Sequence, residues 1–252
     1  MHDYDTYERD DGPPYVNIDT ILDSEIPAAL NQLALFDGDP YLRMQAYNLA
    51  IVDTFLNQLE QNVMRRLFDE ERTPTDDAMF LGAQSQMWIF AAYEVMRTWR
   101  QRVKDVLKLH VNGGLQQKIA SLEKEEGFLH YGKLQRVDML KEVIERPQII
   151  DQIDADLKKT HVMFKWMEAL RIMLAKHEVS GKANSIAMSP GYGRINRWCG
   201  SLDYELNNGK YIMGNTNRRD IADSIRAIPL MDEVPTAENL ASFDAFMKGP
   251  AT

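Results

Sequence analysis

Hydrophobic residues recur at every fourth position over two long stretches of the chain. After Asp39-Pro40 they are Tyr47, Ile51, Phe55, Leu59, Val63 and Leu67. After Pro74 they are Ala83, Met87, Ala91, Val95, Trp99, Val103 and Leu107. This spacing is typical of amphipathic helices, and we predict that both rows face the core. Because Asp suits an N-cap and Pro the first helical position, the first helix is predicted to begin at Pro40.

Two further helical stretches follow Asn112-Gly113-Gly114. The third covers residues 115–145 and is interrupted by Gly127 and Gly132, and Arg146-Pro147 ends it. The fourth is predicted to run without a break from Ile149 to about residue 180. Helices of about 30 residues are about 45 Å long, a length typical of bundles.

The pattern changes after residue 180. Residues 189–193 are loop-like, residues 202–213 predict a hairpin around Asn-Asn-Gly, and residues 220–228 and 236–247 predict two short helices. We therefore expect a mainly α fold, with a long-helix bundle over residues 17–180. A small α/β appendage over residues 181–252 would pack on the bundle. Residues 1–16 are acidic and contain Gly and Pro, so they predict a flexible arm.

Composition narrows the class of protein. Residues 1–27 contain eight acidic residues and one arginine, so they supply −7 of the net charge of −9. The overall acidity therefore says little about the partners of the chain after residue 27. A single cysteine and no signal or membrane-length apolar run predict a cytoplasmic protein without membrane association. Phosphate-binding loops, dinucleotide fingerprints, Glu-x-x-His pairs and zinc spacings are absent, so we expect no cofactor and no metal.

Arg171 and His177 lie near the predicted end of the fourth helix, with five residues between them. This pair, in a helical chain, resembles the Arg-x(4–6)-His motif of the HEPN-like superfamily. The resemblance implies a helical bundle that dimerises and binds or cleaves RNA without a metal, as in toxin or phage-defence systems. Arg171 would bind a phosphate and His177 would act as general base. The alternative is that Arg171 pairs with Glu168 and that His177 lies favourably at a helix C-terminus.

A loop rich in arginines and aromatic residues follows this motif. Arginines bind phosphates and aromatic rings stack on bases, and Arg218-Arg219 adds two charges nearby in sequence. The predicted RNA-binding residues are Lys176, Tyr192, Arg194, Arg197 and Trp198. The alternative is a structured loop whose aromatic rings pack on the bundle and whose arginines face solvent.

Two other sets of polar residues have ordinary interpretations. Arg97, Arg100, Lys104 and Lys108 form a basic row, predicted to be the solvent-exposed face of the second helix. His161 is predicted to be a core histidine with a hydrogen-bond partner.

Two functional hypotheses follow. The first is a HEPN-like protein that binds or cleaves RNA. The second is a non-catalytic helical interaction or regulatory protein that acts through a protein partner, using its long apolar faces and its acidic arm. Both are compatible with a homodimer, which we expect from the length and the apolar stripes of the helices.

Overall fold

The computed structural model describes residues 15–124, 130–175, 193–207 and 212–249. Its helices are α1 (Glu25–Asn31), α2 (Pro40–Asp69), α3 (Thr75–Val111), α4 (Leu115–Leu122), α5 (Tyr131–Glu145), α6 (Ile149–Lys159), α7 (His161–Ala175), α8 (Arg218–Arg226) and α9 (Ala237–Lys248). Its strands are β1 (Arg194–Ile195), β2 (Leu202–Asn207) and β3 (Ile212–Thr216). The prediction of a mainly α fold with a small C-terminal α/β part is confirmed. Of the predicted acidic arm, only Tyr15 and Val16 lie within the described residues.

Several helix ends lie where the sequence places them. Asp39 Oδ1 accepts hydrogen bonds from the backbone N–H groups of Tyr41 and Leu42, each at 3.1 Å, and so caps α2. Helix α3, which is antiparallel to α2, ends at Val111 with Asn112 as C-cap, and Gly113 follows with a φ of +67°. Capping residues and glycine therefore set the bounds of this long antiparallel pair.

The fourth predicted helix is two helices, so the prediction of one continuous helix is wrong. Thr160 separates α6 from α7 and ends α6 with a φ of −86° and a ψ of 1°. Its hydroxyl donates to the Asp156 carbonyl at 2.8 Å and accepts from Arg100 Nη1 at 2.8 Å. A threonine that bonds back to the preceding turn bends a helix, and here Arg100 of α3 holds the bend in place.

The three strands form an antiparallel sheet in the order β1-β2-β3. The hairpin of β2 and β3 was predicted, whereas β1 lies in a stretch without a strand signal. Leu202, Tyr204 and Leu206 point inward from β2 and belong to the same apolar core as the long helices. The C-terminal part is therefore packed on the bundle through a shared core.

The fourfold rows do not face the core along their whole length, which corrects the prediction made for both helices. In α2, Tyr47, Ile51 and Phe55 are 51%, 68% and 50% exposed, whereas Val63 is fully buried. In α3 the first three members of the row are exposed and Val95, Trp99 and Val103 are buried. Four residues turn an α-helix by about 400°, so a strict fourfold row drifts about 40° per step and moves from solvent to core.

Candidate functional site

Arg171 lies on α7 and is half-buried. Its guanidinium carbon lies 5.4 Å from the centre of the Tyr93 ring, a cation–π contact. Glu168, the expected ion-pair partner, accepts a hydrogen bond from Lys165 Nζ at 2.8 Å. The face of Tyr93 therefore provides the close contact that the carboxylate of Glu168 was expected to provide.

Three of the predicted site residues, His177, Lys176 and Tyr192, lie outside the described residues. The proposed pairing of Arg171 with His177 in one site therefore stays a prediction.

Arg194, Arg197 and Trp198 are exposed, Trp198 to 56%. The loop that carries them is ordered by Asn196, whose Oδ1 accepts from the N–H groups of Trp198 and Cys199 at 2.8 and 3.2 Å. Gly200 closes the loop with a φ of +78°, and a Cβ there would lie 2.1 Å from the Glu60 carbonyl oxygen. The loop is thus pressed against α2 and presents two guanidiniums and an indole to solvent.

Arg218 and Arg219 do not join this surface, which corrects the idea that they add to its charge. Both side chains are fully buried at the start of α8. Arg218 Nε and Nη2 donate to the two carboxylate oxygens of Glu60 at 2.7 and 2.6 Å, and Nη1 donates to Asp53. Asn57 Oδ1 accepts from Nη2 of Arg218 at 2.6 Å. Arg218 is therefore enclosed by a buried set of acceptors on α2.

Two more arginines complete this buried ionic cluster. Arg219 donates to Asn57 Oδ1 at 3.0 Å and to the Val16 carbonyl at 2.6 Å. Arg226 donates to Asp53 and to Asp223 Oδ1, the latter at 2.8 Å. The cluster joins α8 to α2 and to the segment before α1, and solvent does not reach its centre.

The charge balance explains why this cluster is structural. Two arginines at the start of a helix oppose the positive end of the helix dipole, so α8 depends on partners from elsewhere. Burial acts to lower the pKa of Arg218, but Glu60 and Asp53 raise it by more, so the net shift is upward. Arg218 therefore stays protonated, and its donors are committed to α2 rather than to a ligand.

The cluster has a signal in the sequence that was missed. Asp53, Asn57 and Glu60 are spaced i, i+4 and i+7, which places them on one face of α2. Leu56 and Val63, both fully buried, share that face. Polar residues within a buried stripe indicate partners of opposite charge, although the sequence does not say which arginines those are.

A second polar network lies beside the cluster. Tyr15 Oη accepts from Nδ2 of Asn217 at 3.0 Å and of Asn196 at 3.3 Å. Both amides also donate to Asp203, and Asn217 caps α8 through the N–H of Asp220 at 3.0 Å. Burial raises the pKa of Tyr15, so the phenol stays protonated. Because these groups satisfy one another, the network connects β2, α8 and Tyr15 and offers no reactive group.

The basic row on α3 is only partly a solvent-exposed face. Arg97 lies in solvent and pairs with Glu94 at 2.6 Å. Arg100 is buried, bonded to Thr160 and the Leu157 carbonyl, and it lies 4.7 Å from the centre of the Phe164 ring. The prediction is therefore wrong for Arg100, because the bend at Thr160 provides acceptors within the core.

His161 does have a hydrogen-bond partner, since its Nε2 lies 2.7 Å from Asp244 Oδ1 of α9.

One side of α2 presents apolar residues to solvent. Met44, Tyr47, Ile51 and Phe55 are spaced i, i+3, i+7 and i+11 and are each half-exposed or more. We call these four residues the apolar face of α2. Their directions fall within about 80° of one another, on the side of the helix opposite Asp53 and Glu60. Exposed residues of this size on one helix face are typical of an interaction surface.

Comparison with protein-family models, with curated proteins and with solved structures finds no match to this chain. Of the described helices, none is both long enough and apolar enough to span a bilayer. Within the described ranges, no three His, Cys, Asp or Glu side chains are grouped as metal ligands would be.

Proposed function

We propose that this chain is a helical interaction protein that acts through the apolar face of α2. The observation that carries the proposal is the exposure of Met44, Tyr47, Ile51 and Phe55 on the side of α2 opposite its buried residues. Met87 of α3 is also exposed, to 66%. It lies at the same level of the helix pair, since Nε1 of the neighbouring Trp88 donates to the Leu49 carbonyl of α2 at 3.0 Å. Apolar area of this kind is stabilised when a partner removes it from water.

The charge pattern of α2 favours a second copy of the same chain as the partner. Between Arg43 and Arg65 the only charged residues of α2 are Asp53 and Glu60, and both are buried in the ionic cluster. The exposed polar positions there are amides: Gln45, Asn48, Gln58 and Asn62. One acidic residue, Asp23, lies at the margin, where it accepts a hydrogen bond from Thr54.

A twofold interface places each face against itself, so a charged face would meet like charges. A neutral apolar face meets its own copy without that repulsion, even in a chain of net charge −9. From Met44 to Phe55 the face extends about 17 Å along the helix, or about three turns. This length suits a helix pair that dimerises by apolar contact.

The test is the oligomeric state of the full chain by analytical ultracentrifugation. Wild type is expected to be a dimer, and Ile51→Glu is expected to be a monomer, because each copy would bury a carboxylate against apolar side chains. Val111→Glu is the matched control, since Val111 is 82% exposed at the far end of α3 and its substitution leaves the dimer intact. A monomeric wild type, or a dimer that Ile51→Glu does not weaken, contradicts the proposal.

RNA binding or metal-independent RNA cleavage of the HEPN-like type is the second candidate. The observation that favours it is the common exposure of Arg194, Arg197 and Trp198 on an ordered loop. In this proposal Arg171 binds the phosphate and His177 acts as general base, with Lys176 and Tyr192 assisting in RNA binding. We rank it second because Arg218 and Arg219 are bonded within the buried ionic cluster and Arg171 already contacts Tyr93.

This candidate is tested by incubating the protein with single-stranded RNA in EDTA. Cleavage by wild type and not by Arg171→Ala/His177→Ala, at equal thermal stability, is the expected result. An Arg146→Ala variant, which changes an exposed arginine of another helix end, serves as control. Absence of both cleavage and RNA binding by wild type contradicts this second function.

A further inference from the structure

A cavity of about 500 Å³ lies where the start of α2 meets α3, α4 and α5. Its volume falls within the range of roughly 300–1,000 Å³ that is common for small-molecule sites. The apolar face of α2 and the exposed arginine loop do not contribute to it. The residues that line it are Gly38, Asp39, Tyr41, Arg102, Asp105, Lys118, Leu122, His130, Gly132, Lys133, Gln135, Arg136 and Met139.

The lining is positive, although the chain as a whole carries a charge of −9. Four basic side chains, Arg102, Lys118, Lys133 and Arg136, stand against two acidic ones, Asp39 and Asp105. A positive excess within a concave surface focuses the electrostatic potential and attracts small anions. The cavity is therefore a candidate anion site.

Arg102 is one of two arginines that the fold places together here. It forms an ion pair with Asp39, whose carboxylate also caps α2 by accepting from Tyr41 N and Leu42 N. Burial lowers the pKa of Arg102, and the positive charge of Arg136 lowers it further. The two guanidiniums thus lie close enough to repel each other, and the Asp39 carboxylate pairs with that of Arg102.

Arg136 is the less compensated of the two. It is half-buried on α5, and burial lowers its pKa, with Asp105 acting in the opposite direction. Among the described residues its hydrogen bond goes from Nη1 to Met139 Sδ at 3.4 Å, and it makes no ion pair. A thioether is a weak acceptor for a guanidinium, so Arg136 keeps donors that a stronger acceptor can use.

We propose that this cavity binds a small phosphate-bearing molecule through Arg102 and Arg136. A phosphoryl group accepts paired N–H donors from a guanidinium, and a second arginine shares its charge. Lys118, which is exposed at the rim on α4, adds a third cation. Tyr41, Leu122 and Met139 supply apolar surface for the part of the molecule that carries no charge.

The experiment is titration calorimetry of the full chain at low ionic strength, with pyrophosphate and adenosine diphosphate as probes. Both are expected to bind wild type. Adenosine diphosphate is expected to bind more tightly than pyrophosphate, because its nucleoside contacts the apolar lining. Arg136→Gln keeps a polar side chain of related shape and removes the charge, so about tenfold weaker binding is expected. Arg146→Gln is the matched control and is expected to bind as wild type does, because Arg146 is the first residue after α5 and forms an exposed ion pair with Glu142.

Thermal denaturation separates loss of the site from loss of the fold. Arg136→Gln without ligand is expected to melt no lower than wild type, because a half-buried and poorly paired charge is removed. Wild type that binds neither probe, or binding that Arg136→Gln and Arg146→Gln weaken equally, overturns the proposal. Adenosine alone binding as tightly as its diphosphate overturns it as well. Single-stranded RNA that binds with the same Arg136 dependence and displaces the probes would instead assign the cavity to a nucleic-acid strand.

These outcomes are independent of the apolar face of α2. A monomeric wild type can still bind pyrophosphate, and a dimer can fail to bind it. The two proposals therefore stand or fall separately.

Discussion

At the scale of single residues, an arginine side chain has different roles in different surroundings. Arg218 donates to Glu60 and Asp53 with no exposure to solvent, so it acts as a structural cation. Arg136 lies half-buried against a thioether and keeps donors that a ligand can use. The sequence identifies both as arginines, and only the acceptors around them distinguish their roles.

Replacement of Arg218 by Met is expected to destabilise the fold by about 3–5 kcal/mol, because Asp53 and Glu60 would remain buried without a partner. Urea unfolding followed by circular dichroism measures the change. Arg66→Met is the matched control, since Arg66 also pairs with two acids, Glu70 and Asp77, but in solvent. Its urea midpoint is expected to stay close to that of wild type. A loss below about 1 kcal/mol for Arg218→Met shows that the cluster does not hold α8 in place.

At the scale of elements, helices of similar appearance differ in how much of the core they share. Trp88, Met96 and Trp99 of α3 are fully buried, and α3 contacts most of the other elements. None of the residues of α9 is buried. Phe243 and Phe246 of α9 pack against Trp166, and Asp244 bonds to His161. Aromatic contacts with Trp166 and the hydrogen bond between Asp244 and His161 therefore help to hold α9 against α7.

Hydrogen exchange followed by mass spectrometry is expected to show rapid exchange in α9 and slow exchange in the middle of α3. The hydrogen bond from His161 lowers the pKa of Asp244, so Asp244 stabilises α9 docking near neutral pH, and this contribution is lost as the pH falls below the ordinary Asp range. Asp244→Asn is therefore expected to speed exchange in α9 alone at neutral pH. Glu233→Gln changes an exposed acid just before α9 and is expected to change nothing. Equal protection of α9 and α3 contradicts this account.

At the scale of the whole molecule, the fold separates its charges into distinct regions. The buried ionic cluster removes Asp53 and Glu60 from the surface of α2, which leaves that helix with an uncharged exposed side. Basic residues line the cavity at α5, and β1 and the loop after it expose two more arginines. The uncharged exposed side of α2 therefore depends on α8, which supplies the cations that neutralise Asp53 and Glu60.

The sequence by itself determined the class of fold and most helix ends. Local signals decide these features: Asp39 and Pro40 start α2, Gly113 ends α3, and alternating apolar residues mark β2. It also showed the polar residues within the buried stripe of α2, although the ionic cluster that they form was not predicted. The roles of the candidate site residues were less predictable, because the sequence alone does not distinguish the buried Arg218 from the exposed Arg194.

Only the tertiary structure decided which side of each long helix is buried. Fourfold rows drift around a helix, so Ile51 and Val63 belong to one row and yet lie in solvent and in the core. It also decided that Thr160 bends the fourth helix, because Arg100 comes from a distant part of the chain to bond its hydroxyl. Burial and ion pairing depend on contacts between segments far apart in sequence, such as Arg218 and Glu60, which lie 158 residues apart. No local pattern encodes such contacts, and the candidate sites of this protein rest on them.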